Sequence, residues 1–166
     1  PSTMRIGINS EGTITLYNGA MDIGQGANTI MIQICAEALG LPASSFQFIM
    51  GDTDLTADAG KTSASRQAFV SGRASQLAGE HLRAQIIHLA EAEEDANLRL
   101  DGRTLWVQDK NGEHSILLSD LLPRTNGDVL VGEGTFDPPT TKLDENGQGS
   151  PYATYGFGAH IAEVEV

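Results

Sequence analysis

Glycine, amide and hydroxyl residues are grouped twice in this sequence in a way that suits an anionic ligand. Gly24-Gln25-Gly26 stands where a strand-like run gives way to a helix-like run, and Thr62-Ser63-Ala64-Ser65-Arg66-Gln67 opens a second, longer helical run. A helix start offers backbone N–H groups without intrahelical partners and the positive end of the helix dipole, so two such starts together could cradle a polyanion. Glycine lets a backbone approach a ligand closely, and the Gln25 amide can donate and accept at once. Thr62, Ser63 and Ser65 bring hydroxyls, and Arg66 a planar fork that matches phosphate oxygens in pairs.

Other constellations imply less. Gly24-Gln25-Gly26 lacks the third glycine of the dinucleotide fingerprint, and no Gly-Lys-Ser or Gly-Lys-Thr follows it as in a P-loop. Asp52 and Asp54 lack the spacing and terminal glutamate of a calcium loop. His81, His88, His114 and His160 share only an i, i+7 relation between the first two, so no metal set is expected, and no nucleophile elbow supports a Ser-His-Asp triad. The single cysteine, Cys35, lies in an apolar helical run and reads as a small buried hydrophobe, which leaves no multi-cysteine cluster on this chain.

The elements that must hold the two polar groups follow from periodicity. Met4 to Asn9 and Thr13 to Tyr17 nearly alternate around Asn9-Ser10-Glu11-Gly12, a hairpin pattern. Apolar residues at 30, 31, 34, 35, 38 and 39 predict a helix from Ala27 to Leu39, closed by Gly40 and Pro42. Phe46 to Met50 reads as a buried strand, and a second helix is expected from near Ser65 to Glu94. On that helix Ala68, Gly72, Ser75 and Gly79 form a small-residue stripe that calls for a close neighbour. Leu98 to Leu100 and Thr104 to Val107 predict a hairpin; Ile116 to Leu122 a strand edge and short helix; Val129 to Phe136 and Thr154 to Val166 two further strands. The fold class expected is α+β, a mixed sheet with two main helices on one face.

Composition bounds the partners. The 166 residues are 40% apolar with 19 glycines, enough for one globular domain. With 22 acidic against 10 basic residues the net charge is -12, which repels nucleic acid and an anionic membrane surface. No apolar stretch approaches the ~18 residues of a spanning helix, so a cytoplasmic protein is expected. Pro1 opens the sequence in place of a methionine and Val166 ends it within an alternating run, so residues 1–166 read as a single-domain fragment of a larger subunit.

In order and spacing the chain resembles the molybdenum-binding large subunit of the molybdenum hydroxylases, the family of xanthine dehydrogenase and aldehyde oxidoreductase. The resemblance rests on Met21-Asp22-Ile23-Gly24-Gln25-Gly26 with Thr29 and Gln33, Ala36 to Pro42, Gly51-Asp52-Thr53-Asp54, Thr62 to Gln67 with Ser71-Gly72, and Ala162 to Val166. It implies a molybdopterin-type cofactor, in bacterial members often extended to a cytosine dinucleotide. Gly24, Gln25 and Gly26 would meet the pterin; Ala27, Asn28 and Thr29 the pyrophosphate or nucleotide; Thr62, Ser63, Ser65, Arg66 and Gln67 phosphate and pterin edges. It further implies oxidation of an aldehyde or N-heterocycle with water as oxygen source. Iron–sulfur and FAD centres would lie on other domains or subunits, and the rest of the large subunit would be a partner. The family's catalytic glutamate follows the strand matching Ala162 to Val166, and neither Glu163 nor Glu165 matches it. No catalytic residue is therefore assigned, and the fragment alone is expected to be inactive. The alternative is an assembly domain of the same architecture that binds no cofactor.

Overall fold

Alternation along the first strand decides which side of the sheet becomes the core. The computed structural model describes residues 1–154 and 159–165. In β1 (Ser2–Asn9) Met4, Ile6 and Ile8 point one way and are fully buried, as are Ile14 and Leu16 of β2 (Ile14–Asn18), which pairs with β1 antiparallel. β3 (Phe46–Met50) joins β2 in parallel, and the long β7 (Asp128–Phe136) closes the other side of β1 antiparallel. The result is a mixed sheet of order β3-β2-β1-β7. A separate antiparallel meander contains β4 (Asn97–Asp101), β5 (Thr104–Asp109) and β6 (Gly112–Leu117).

Two helices cover the apolar face. Helix α1 (Ala27–Leu39) buries Met31, Cys35 and Leu39, and α2 (Gly72–Ala90) buries Leu82 and Ile86 in the same core as Met4, Ile6 and Leu16. The expected α+β architecture, a mixed sheet with two main helices on one face, is the one observed. The small-residue stripe of α2 faces α1: a Cβ added at Gly79 would stand 2.7 Å from the Cys35 carbonyl oxygen, and one at Gly72 would stand 3.0 Å from Ile34 Cδ1. Ser75 is buried with them, whereas Ala68 is exposed. On its other side α2 nearly touches β7, where a Cβ on Gly132 would lie 2.3 Å from the Ala78 carbonyl oxygen. Removing one methyl per contact lets helix and strand backbones meet.

Several boundaries differ from the periodicity. The second helix begins not at Ser65 but with a π-helical turn over Gln67–Ser71 that runs into α2. It ends at Ala90 rather than Glu94, because Glu91 turns left-handed (φ 53°) and the Glu93 amide then donates to Asp109 on the meander. β6 starts at Gly112, earlier than the Ile116 expected, and a short 3-10 turn at Leu118–Asp120 follows it. The strand expected over 154–166 falls in part outside the described residues. Of its described part, Thr154 is half-buried and residues 159–165 are exposed, Ile161 being 98% and Val164 83% accessible, and none of these residues forms a strand. Alternation becomes a strand only where a neighbouring backbone completes its hydrogen bonds, and among the described residues none does.

Candidate functional site

β2, α1 and β3 make a parallel β-α-β unit, and the loops that leave the carboxyl ends of its two strands are the usual place for a ligand in such a unit. One of these loops carries Gly24-Gln25-Gly26, the other Gly51-Asp52-Thr53-Asp54. Gly24 and Gly26 adopt φ of 104° and 80°, the left-handed region, and a Cβ at either would meet nothing within 4 Å. Backbone conformation, not crowding, demands glycine here, and the exposed backbone stays open to approach.

The two polar groups picked out in the sequence meet at one cleft. Gln25, Ala27, Thr62, Ser63, Ser65 and Gln67 line a depression of about 350 Å³, with Ile23, Ile30, Met31, Ala64 and Ala68 as its apolar surface. Gly24 and Gly26 flank Gln25 on the loop, and Asn28 and Thr29 continue into the first turn of α1, with Thr29 exposed. Ser63 and Ser65 spend no hydroxyl on any partner among the described residues. The Asn28 carboxamide oxygen is buried without a hydrogen bond, an acceptor that an N–H of a ligand would satisfy. Ala64, at φ 46°, bends the segment between the two serines.

Arg66 is placed elsewhere. Its guanidinium donates to the Ala59 carbonyl at 2.6 Å, the Lys61 carbonyl at 3.4 Å and the Pro1 carbonyl at 2.8 Å, so the fork braces the 59–66 segment from outside the cleft. Thr62 is also engaged: its hydroxyl donates to the Met21 carbonyl at 2.7 Å and accepts from Gln67 Nε2 at 3.2 Å. Gln67 is 3% exposed, and its carboxamide oxygen accepts from the Ser71 hydroxyl. Gln25 folds back so that its Oε1 accepts from the Ile23 amide at 2.7 Å, which leaves its Nε2 as a donor.

A residue that sequence reasoning passed over governs the glycine loop. Asp22 Oδ1 accepts from the amides of Gly24 at 2.8 Å and Gly26 at 3.4 Å, and Oδ2 from that of Asn28 at 3.2 Å. These amide bonds, Gly24 first and Asn28 next, hold its carboxyl below the usual range, against a smaller opposing effect of desolvation. The start of α1 is thus already capped by a carboxylate, which occupies amides that an outside anion would otherwise use. The signal was present as an aspartate two residues before a glycine at a helix opening. Asp52 plays the same local part, accepting from the amides of Asp54 and Leu55 at 2.9 and 3.1 Å.

A larger concavity of about 800 Å³ lies along the C-terminal half of α2, beside Glu80, His88 and Glu91. Its guanidinium, from Arg83, is spent on the carbonyls of Leu39, Glu94 and Ala96. The smaller cleft, where the glycine loop at the start of α1 meets the segment that opens the second helix, is the candidate site.

Comparison with known proteins identifies the family. A family described as the molybdopterin cofactor-binding domain matches residues 1–166. The chain belongs to this family. A probable hypoxanthine oxidase of Escherichia coli strain K12, XdhD, is 32% identical over 97% of this chain and 16% of its own length. Aldehyde oxidase 4 of Rattus norvegicus is 29% identical over 94% of this chain and 10% of its own. Among solved structures, the aldehyde oxidoreductase of Desulfovibrio desulfuricans superposes with a TM-score of 0.62 at 24% identity, over 92% of this chain and 14% of that one. At that identity it shows the fold. The chain spans about a fifth or less of the length of the relatives it matches, and the family match is to their cofactor-binding domain.

Proposed function

We propose that residues 1–166 are the cofactor-binding segment of a xanthine dehydrogenase-like or aldehyde oxidase-like hydroxylase, and that the cleft between the two helix starts holds a molybdopterin-type cofactor. The observation that carries this reading is the convergence of Gln25 with Ser63, Ser65 and Gln67 around one depression. The donor set fits such a group. Hydroxyls and an amide N–H suit phosphate and ring carbonyl oxygens, and the open glycine backbone lets a flat ring system approach.

On this reading Gly24, Gln25 and Gly26 form the wall against the pterin, while Ala27, Asn28 and Thr29 carry the pyrophosphate end, extended in the cytosine dinucleotide form. Ser63 and Ser65 donate to phosphate. Thr62, Arg66 and Gln67 hold that wall in place, Arg66 through the carbonyls it braces. When bound, the cofactor supplies the redox chemistry by which an aldehyde or N-heterocycle gains a water-derived oxygen. The remainder of the large subunit and iron–sulfur and flavin domains or subunits complete the enzyme, and residues 1–166 by themselves are inactive.

One observation favours the second reading, an assembly domain that binds no cofactor: Asp22 already occupies the amides of Gly24, Gly26 and Asn28. Metal and pterin analysis of the full-length subunit separates the two. Molybdenum and a phosphorylated pterin should co-purify with the unchanged subunit and fall away when Gln25 and Ser63 are both replaced by alanine. A subunit that never carries either would establish the assembly domain.

A further inference from the structure

We infer that Thr62 is a positioning residue, a latch that fixes the glycine loop against the start of the second helix. Thr62 Oγ1 donates to the Met21 carbonyl oxygen and accepts from Gln67 Nε2, 41 and 5 residues away in sequence. Gln67 Oε1 accepts from Ser71 Oγ, and Ser71 Oγ meets Ser2 Oγ at 2.8 Å. The members from Ser2 to Gln67 are buried, with Ser2 and Ser71 at 0% exposure.

The chain has a fixed direction. A carbonyl oxygen only accepts, so the Thr62 proton must point to Met21. Thr62 then has only lone pairs left for Gln67, which must present its NH2 group to it and its oxygen to Ser71. Ser71 donates to that oxygen, so Ser2 donates to Ser71. Strand β1, the π-helical turn, the 60s segment and the glycine loop are thereby joined by one directed set of hydrogen bonds; its part from Ser2 to Gln67 is buried and stiff, and the solvent-exposed Thr62–Met21 bond ties the loop to that stiff part. Two consequences concern the cleft. Thr62 has no proton left to offer a ligand, and the amide of Gln67, a cleft-lining residue, is committed to presenting N–H rather than oxygen on the Thr62 side. The bearing on a bound cofactor rests on the function proposed above; the latch itself rests on the hydrogen bonds.

Amide hydrogen exchange of the full-length subunit tests it, comparing Thr62→Val, which keeps shape and loses the hydroxyl, with Thr62→Ser, which keeps the hydroxyl. In Thr62→Val the amides of residues 21–26 should exchange at least about fivefold faster, the scale of one lost hydrogen bond. Those of Met31 to Leu39 should not change, and Thr62→Ser should match the unchanged protein. The inference is overturned by an unaltered rate at residues 21–26, by an equal rise along α1, or by a serine variant as fast as the valine one. Pterin content of the unchanged subunit is measured on the same samples: its absence defeats the cofactor reading and leaves the exchange rates to decide the latch.

Discussion

Gly134 of β7 stands so close to Ala74 of α2 that a Cβ placed on it would lie 2.3 Å from the Ala74 carbonyl oxygen. The atoms in the way are helix backbone, which cannot turn aside. Gly134→Ala should therefore cost about 1–3 kcal/mol by overpacking, read as a fall in the denaturant midpoint of unfolding. Gly72→Ala is the control. Its added methyl meets only the end of the Ile34 side chain, which can rotate, and it gains up to about 1 kcal/mol of helix propensity. It should leave stability near or above that of the parent, and equal losses in both variants would show that α2 and β7 are not in backbone contact.

Tyr17 donates its hydroxyl to Asp128 at 2.9 Å, with both residues buried and the Arg5 guanidinium 4.3 Å above the tyrosine ring. Tyr17→Phe removes a donor from a buried carboxylate and should destabilise by about 1–2 kcal/mol. Burial is the chief cause that raises the carboxyl of Asp128 above its ordinary value, against the lowering effects of Tyr17 and Arg5. A raised folded-state pKa gives a stability contribution that is complete below the unfolded value and lost as pH rises through the folded one. The stability of the parent relative to Asp128→Asn should thus fall as pH is taken from about 4 to 7, measured by urea titration at each pH. A constant difference would place the Asp128 carboxylate in water.

Asp22 behaves oppositely. Its carboxyl is lowered by the loop amides, so its contribution is present above the unfolded value and disappears as pH falls through the folded one. Asp22→Ala should lower the melting temperature at neutral pH and speed amide exchange at Gly24, Gly26 and Asn28. The gap to the parent should close as pH drops below about 4. Unaltered exchange at those amides would mean that the carboxylate does not hold them.

Cys35 is fully buried in the core under α1, and burial pushes its thiol up to about 12. Thiolate is the reactive form, so the native chain should resist alkylation at mildly alkaline pH and react only as it unfolds. Mass spectrometry over a denaturant series should give a modification curve that overlays the unfolding curve. Rapid labelling of the native chain would count against the packing of Cys35 beside Gly79.

Much of this was legible because local pattern and tertiary demand agree. Met4, Ile6 and Ile8 alternate and face the core; residues 27–39 repeat at helical spacing and form α1. Both polar groups were visible as residue types, and the chain brings them to one cleft. What local pattern could not give was where donors are spent. Arg66 reads as a phosphate fork until Ala59, Lys61 and Pro1 come within its reach, and the Thr62 hydroxyl reads as free until Met21 arrives from the other loop. Asp22 was missed for a different reason: its signal is a position, two residues before a glycine at a helix opening, and not a residue type that suits a ligand. The π-helical turn at Gln67–Ser71 was likewise invisible, since helical periodicity does not distinguish one wide turn at the start of a helix.

The bare inward face of β7 has a consequence for how this domain can vary. Gly132 and Gly134 act as an indexing notch: sliding α2 along the sheet by one residue pair would drive it against the side chain of Leu130 or Phe136 in place of a gap. That helix carries at its front end the turn on which Gln67 sits. The lip of the cleft is thus set in part by two hydrogen atoms on a strand at the far edge of the sheet.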